Sequence, residues 1–173
     1  MIGVAALLLP RFTTFKFQSK SLQKNTVDYR KMSEQFVGKW NLLESEGFDE
    51  YMKEIGISFL TRKMANNLKP QLDIQVNGDH WKITSTSTFK TTVLEFDLNK
   101  PFDETTPDGR TLKVHNGVHS TFKFENGKLI QDQKKIKDSD KDSVFERYID
   151  GGKLVVTCES NGVKAKRVYQ RDQ

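Results

Sequence analysis

The sequence predicts a mainly β fold: a ten-stranded antiparallel up-and-down β-barrel, capped by a helix-turn-helix after the first strand and preceded by an N-terminal extension. Three observations predict it. Five dipeptides, Asn77-Gly78, Asn116-Gly117, Asn126-Gly127, Asp150-Gly151 and Asn161-Gly162, are hairpin signals, because such pairs tolerate the positive φ of tight turns. Short strand-like runs lie around and between them. A helical period occurs in one place, directly after the first strand. Consecutive antiparallel strands in this number favour a barrel, which removes exposed edges, over an open sheet.

Phe36 to Glu44 reads as the first strand. Between Gly47 and Gly56, the residues Phe48, Tyr51, Met52 and Ile55 recur at i, i+3, i+4 and i+7, one apolar helix face. A second short helix is expected from Ser58, as N-cap, to Leu68, with Phe59, Met64 and Leu68 as its apolar residues and Pro70 as its stop. The remaining nine strands are expected at Leu72–Val76, Trp81–Thr88, Thr92–Phe96, Thr111–His115, Ser120–Phe124, Leu129–Ile136, Ser143–Ile149, Leu154–Glu159 and Val163–Gln170.

With 173 residues the chain has room for one domain, and no stretch reaches the ~18 apolar residues of a membrane helix. A single cysteine, Cys158, excludes an internal disulfide framework and a cysteine-based zinc cluster. The formal net charge of +5 is unevenly placed. Residues 1–31 hold six basic side chains and one acidic one, and residues 32–173 hold 22 of each. A balanced domain makes nucleic-acid binding an unsuitable function, since phosphate neutralisation supplies most of that affinity.

The basic N-terminal extension, residues 1–31, is set apart from a domain spanning residues 32–173. Its apolar run Ile2 to Leu9 ends at Pro10 and is followed by a Lys-, Ser- and Thr-rich, acid-poor stretch. A secretory signal would have such an apolar run but also a basic start and a small-residue cleavage site, whereas a mitochondrial-type transit peptide fits the basic, hydroxyl-rich character. An upstream extension from an alternative start fits equally, because Met32-Ser33-Glu34 reads as a natural beginning. The segment is expected to be disordered in the mature protein or absent from it.

Alternation along the last strands places chemistry. On Val163 to Gln170, one parity carries Val163, Ala165, Arg167 and Tyr169; on Val144 to Ile149, Arg147 shares a face with Phe145 and Ile149; Leu154, Val156 and Cys158 share a third. If these faces point inward, two guanidinium groups and a phenol enter an apolar interior. No acidic residue shares that parity on the last strand to offset a costly buried charge. The missing anion would then come from a ligand, and a planar guanidinium can meet a carboxylate with two charge-assisted bonds. An outward-facing arginine, beside Lys164, Lys166 and Arg171, satisfies the same pattern, because a one-residue slip reverses every side chain.

Phe36-Val37-Gly38-Lys39-Trp40, Phe48-Asp49-Glu50-Tyr51-Met52, Ser87-Thr88-Phe89-Lys90, Phe102-Asp103-Glu104-Thr105-Thr106 and Arg167-Val168-Tyr169 occur in the order and spacing of the intracellular fatty-acid-binding protein family, which the chain resembles from Met32 to its C-terminus. The resemblance implies a ten-stranded, clam-like barrel lidded by two helices that holds a fatty acid or related acidic lipid. It implies that Arg147, Arg167 and Tyr169 bind the ligand carboxylate. Phe48, Met52, Ile55, Pro70, Phe89, Val156 and Cys158 would line the cavity or its portal, with Phe89 as a gate. Retinol carriers of the same superfamily tend to have glutamine where this chain has Arg147 and Arg167, so the resemblance points to an acid ligand, fatty or retinoic. One departure is the extra Gly152 before Lys153.

Gly38-Lys39-Trp40 also fits the glycine-x-tryptophan of lipocalins, but those are longer, usually secreted and disulfide-bonded, and lack a helix pair after the first strand. His80, His115 and His119 have no metal-ligand spacing, and no nucleophile-base arrangement or phosphate loop is visible. The sequence therefore points to no enzyme, no metal and no cofactor. Lys53, Arg62 and Lys63 on the helices read as solvated lid charges, as a membrane-docking face or, by the resemblance, as a ligand-dependent nuclear import surface. The expected protein is a monomeric cytoplasmic carrier of acidic lipid; the alternative delivers that lipid to a nuclear receptor and is also nuclear. The extension leaves secretion or mitochondrial import open.

Overall fold

A computed structural model describes residues 29–104, 118–136, 138 and 140–172. Residues 29–34 form a helix, α1. Two helices follow strand β1 (Gly38–Glu46): α2 (Phe48–Glu54) and α3 (Phe59–Asn66). The remaining strands are β2 (Gln71–Asn77), β3 (His80–Thr86), β4 (Thr91–Asp97), β5 (Phe102–Glu104), β6 (Val118–Glu125), β7 (Lys128–Lys135), β8 (Ser143–Asp150), β9 (Lys153–Ser160) and β10 (Val163–Arg171). They form one ten-stranded antiparallel sheet in the order β4-β3-β2-β1-β10-β9-β8-β7-β6-β5. The sheet curls into a nearly closed barrel, and among the described residues the strand order ends at β4 on one side and β5 on the other, with no ladder joining them. Aromatic rings bridge that break: Phe96 of β4 stacks on Phe122 of β6 with centroids 3.5 Å apart and lies parallel to Phe102 of β5 at 6.4 Å.

The hairpin signals act as expected wherever they are described. Asn126-Gly127 and Asn161-Gly162 both sit at positive φ, at 51° and 74° and at 49° and 82°. That is the conformation of a two-residue turn whose twist matches the strands. The extra Gly152 completes the same geometry with Gly151 (φ 56° and 74°) between paired Asp150 and Lys153, so it sets the β8–β9 register rather than disturbing it. Asn116-Gly117 and the strand expected at Thr111–His115 lie outside the described residues. Among the described residues a short strand not expected from the sequence, Phe102–Glu104, stands fifth in chain order. Three residues, two of them acidic, are too short to show alternation.

The start of the barrel also differs from expectation. β1 begins at Gly38 because residues 33–37 complete a helical turn, with Phe36 N–H and Val37 N–H donating to Ser33 O and Glu34 O. Phe36 is thereby freed from the ladder and buried as a plug, edge-on to Trp81 and Phe124, while its carbonyl accepts the Trp40 indole N–H at 2.8 Å. Arg171, paired with Trp40 across β1 and β10, also locks this segment, donating to Val37 O and Gln35 O with its guanidinium 4.2 Å above the Trp40 ring. The boundary drawn between residues 31 and 32 falls within α1, whose Tyr29 packs edge-on against Phe124 at 5.2 Å.

The lid is asymmetric. Tyr51 and Met52 of α2 are buried, and the Tyr51 hydroxyl bonds to Ser143 Oγ at 3.1 Å. Ser58 caps α3 as expected, accepting from Thr61 N–H at 3.3 Å. No residue of α3 is buried, however: Phe59 is 69% and Met64 48% exposed, so the apolar face read from the sequence does not turn to the core.

Candidate functional site

The inner wall over β8, β9 and β10 is set by register. Val156 pairs with Arg147 on one side and Arg167 on the other, while Cys158 pairs with Phe145 and Ala165, and Leu154 with Ile149 and Tyr169. Residues directly opposite on neighbouring strands share a face. Leu154, Val156, Cys158, Ala165 and Tyr169 are buried members of one core cluster, so this face is the interior. The two arginines therefore point inward, which resolves the parity question.

Both guanidinium groups are incompletely paired. Arg147 Nη2 donates to Gln131 Oε1 at 2.8 Å, but Arg147 Nη1 and Arg167 Nε are enclosed atoms without a hydrogen-bond partner. Each arginine as a residue is only half-buried. On an inward-facing strand position, the surface left uncovered faces the barrel interior. Aromatic faces supply part of the missing stabilisation. Arg167 lies 4.3 Å above the Phe48 ring of α2 and 5.7 Å from Tyr169; Arg147 is 5.7 Å from Phe122 and 5.5 Å from Phe145. Such contacts contribute about 0.5–2 kcal/mol each, less than the several kcal/mol effective penalty of burying an ion. A balance in favour of an incoming anion remains.

Burial pushes the Arg147 guanidinium below its ordinary value, opposed by Cys158, Glu104, Tyr169 and Tyr51 around it. Burial likewise raises the Cys158 thiol to about 11 and raises the Tyr169 phenol, in both cases against the pull of the guanidinium groups. Cys158 is thus a neutral wall residue with no thiolate chemistry at ordinary pH, and Tyr169 is a phenol that can donate.

The other residues singled out from the sequence separate into two groups. Phe48 and Ile55 pack on the core from α2, Met52 is buried there, and Pro70 is buried and accepts the Leu42 N–H. Phe89 stands apart at 72% exposure in the β3–β4 turn, where Ser87 Oγ accepts the Lys90 N–H. Of the lid charges, Arg62 is a tie rather than a solvated group. Its Nε donates to Asp49 Oδ1 at 3.1 Å and its Nη1 to Ile57 O at 2.9 Å. Among the described residues no His, Cys, Asp and Glu cluster could hold a metal.

Sequence reading missed a buried polar row beside Arg147. Glu104, Ser120, Gln131 and Gln133 lie on β5, β6 and β7 and are all buried. A signal existed on β7, where Leu129, Gln131 and Gln133 share one parity, so two amides continue an apolar face. Glu104 had none, because its strand is three residues long.

Ten strands and a helical lid inserted after the first define a calycin-type barrel. Comparison with known proteins places it further: the chain belongs to the lipocalin / cytosolic fatty-acid binding protein family, whose model matches residues 37–172. It is 55% identical over 141 residues to fatty acid-binding protein homolog 6 of Caenorhabditis elegans, covering 82% of this chain and all of that one. Among solved structures it is similar to apo lipid binding protein 8 of Caenorhabditis elegans, with a TM-score of 0.74 and 38% identity over 80% of this chain and 96% of that one. It is also similar to a Schistosoma mansoni fatty acid binding protein in complex with arachidonic acid, with a TM-score of 0.71 and 33% identity over 80% and 97% of the two chains. These relatives are named as fatty-acid- or lipid-binding proteins, not as enzymes.

Proposed function

We propose that the protein is a non-catalytic carrier that takes one long-chain fatty acid, or a similar acidic lipid, into the barrel, keeps it soluble and releases it elsewhere. The observation that carries this reading is the pair of inward guanidinium groups, each with an enclosed N–H left without a partner. Tyr169 is the third member of the head-group site, and Phe48, Met52, Ile55, Val156 and Cys158 surround the chain of the ligand. Arachidonic acid in the Schistosoma relative supports the same ligand class.

Magnitudes divide the work. Burying methylenes contributes about 0.8 kcal/mol each, so a long acyl chain supplies roughly 10 kcal/mol of gross affinity. A charge-assisted bond to the head group contributes about 1.5–3 kcal/mol. The chain sets how tightly the ligand is held, and the arginines decide which end group is accepted. Entry is proposed past α3 and the β3–β4 turn, with Phe89 at its rim. The exposed Phe59 and Leu60 beside Lys53 and Lys63 suit transient contact with an anionic membrane. A role in delivering lipid to a nuclear receptor has less behind it, because Arg62, one of three basic lid residues, is engaged by Asp49. A monomer acting in the cytoplasm is the proposed state, with residues 1–31 deciding whether another compartment is used.

Titration of the delipidated protein with oleate and with oleyl alcohol tests the reading. Oleate is expected to bind at one per chain and at least ~10-fold tighter than the alcohol, a gap of ~1.4 kcal/mol. Equal affinities would mean the arginines do not read the head group, and no binding of either would end the carrier reading.

A further inference from the structure

Three donors converge on a single buried carboxylate oxygen in the wall beside Arg147. Glu104, 8% exposed, accepts at Oε2 from Ser120 Oγ at 2.5 Å, Gln131 Nε2 at 2.7 Å and Gln133 Nε2 at 3.1 Å. An ionised carboxylate only accepts, so an all-donor shell suits it. Gln131 turns its amide nitrogen to Glu104 and its carbonyl to Arg147 Nη2, 2.8 Å away. One amide thus stands between an anion and a cation that would otherwise form a direct salt bridge.

This spacing has a consequence for charge. Among the described residues on the inner face, the buried or half-buried ionised side chains are Arg147, Arg167 and Glu104, a net of +1. Tyr169 and Cys158 stay neutral. A direct Glu104–Arg147 pair would have occupied the guanidinium; a neutral residue at 104 would have left the interior at +2. The interposed amide lets Glu104 offset one positive charge at a distance while Arg147 Nη1 stays open.

We infer that Glu104 is a specificity residue: it fixes the interior at one excess positive charge, so that a singly charged anionic head group completes the balance. The inference rests on the carrier reading above. A monocarboxylate brings the interior to neutrality. A phosphate monoester near two negative charges leaves an excess anion, and an alcohol leaves an excess cation; uncompensated buried charge is costly in either case.

The test compares oleate, oleyl alcohol and oleyl phosphate at pH 8, titrated into the delipidated full chain and two variants. The wild type is expected to prefer oleate to both. In Glu104→Gln the oleate-to-phosphate affinity ratio is expected to shift toward the phosphate by at least ~10-fold. In Gln131→Glu, which places a carboxylate directly on Arg147, the preference for oleate over the alcohol is expected to fall to within about 2-fold. A Glu104→Gln ratio within about 2-fold of wild type overturns the inference and leaves the carrier reading standing. So does a Gln131→Glu variant that keeps its oleate preference, which decides the matter even if the first variant does not fold. A wild type that binds none of the three removes both.

Discussion

The two lid helices begin from similar material and end in different situations. α2 is bolted to the barrel. Tyr51 and Met52 are buried beneath it, Phe48 covers the Arg167 guanidinium, and Glu54 accepts from Lys141 Nζ at 2.6 Å and from Asn161 Nδ2 at 2.9 Å in the β9–β10 turn. α3 is tied to α2 by Arg62 and Asn66 donating to Asp49 and touches the core only through half-buried Ala65, with no residue fully buried. A short helix with apolar residues can thus be a piece of core or an exposed flap, depending on whether strands lie beneath it. On the proposed function, the difference puts the opening at α3: α2 covers Arg167 with Phe48, whereas α3 has no residue fully buried against the barrel.

The same residue type on both helices gives the sharpest contrast. Met52 is 4% and Met64 48% exposed. Met52→Ala is expected to cost about 2–5 kcal/mol, as core truncations do, and Met64→Ala less than about 0.5 kcal/mol. Urea unfolding of the two variants measures this, and equal costs would break the distinction.

The glycines at the two joints come next. A Cβ on Gly47, at φ 66°, would lie 2.6 Å from the backbone carbonyl oxygen of Lys164, whereas Gly56, at φ 84°, has open space around it. Gly47→Ala is expected to destabilise by about 2–3 kcal/mol, strain plus contact, and Gly56→Ala by about 1 kcal/mol, the strain alone. Thermal unfolding would separate the two.

A smaller effect concerns the α2 latch. Hydrogen bonds from Lys141 and then Asn161 hold the Glu54 carboxyl below its ordinary value of 4.5. A carboxyl lowered in the folded state contributes stability that is present above the unfolded value and lost as pH falls through the folded one. Acid unfolding followed from pH 6 downward should therefore be shallower in Glu54→Gln than in wild type below about pH 4.5. An unchanged profile would mean the latch does not hold α2.

Much of the barrel was legible because its signals are local. Asn126-Gly127 and Asn161-Gly162 take the positive φ that such pairs tolerate in a tight turn, and the alternation of β10 sorts Arg167 and Tyr169 onto one face. Which face was inward depended on pairing with Val156, a relation between strands that one strand's pattern does not contain. Glu104 was hidden for the same reason, since its partners come from β6 and β7. The exposure of Phe59 and Met64 was not legible, because apolar residues on a short helix do not say whether anything lies beneath them. Phe36 reads as strand by composition, yet a turn of helix diverts it to plug the barrel.

On the proposed function, Arg147 and Arg167 receive the ionised end of an apolar ligand. Oleate labelled with carbon-13 at its carboxyl, bound to the protein and followed by NMR across pH, tests it most directly. Burial alone raises a carboxyl's pKa, whereas paired guanidinium groups lower it. The bound carboxyl is expected to stay ionised throughout roughly pH 5–7 and to begin to titrate there when both arginines are changed to glutamine. A wild-type complex whose carboxyl titrates within that range would contradict it.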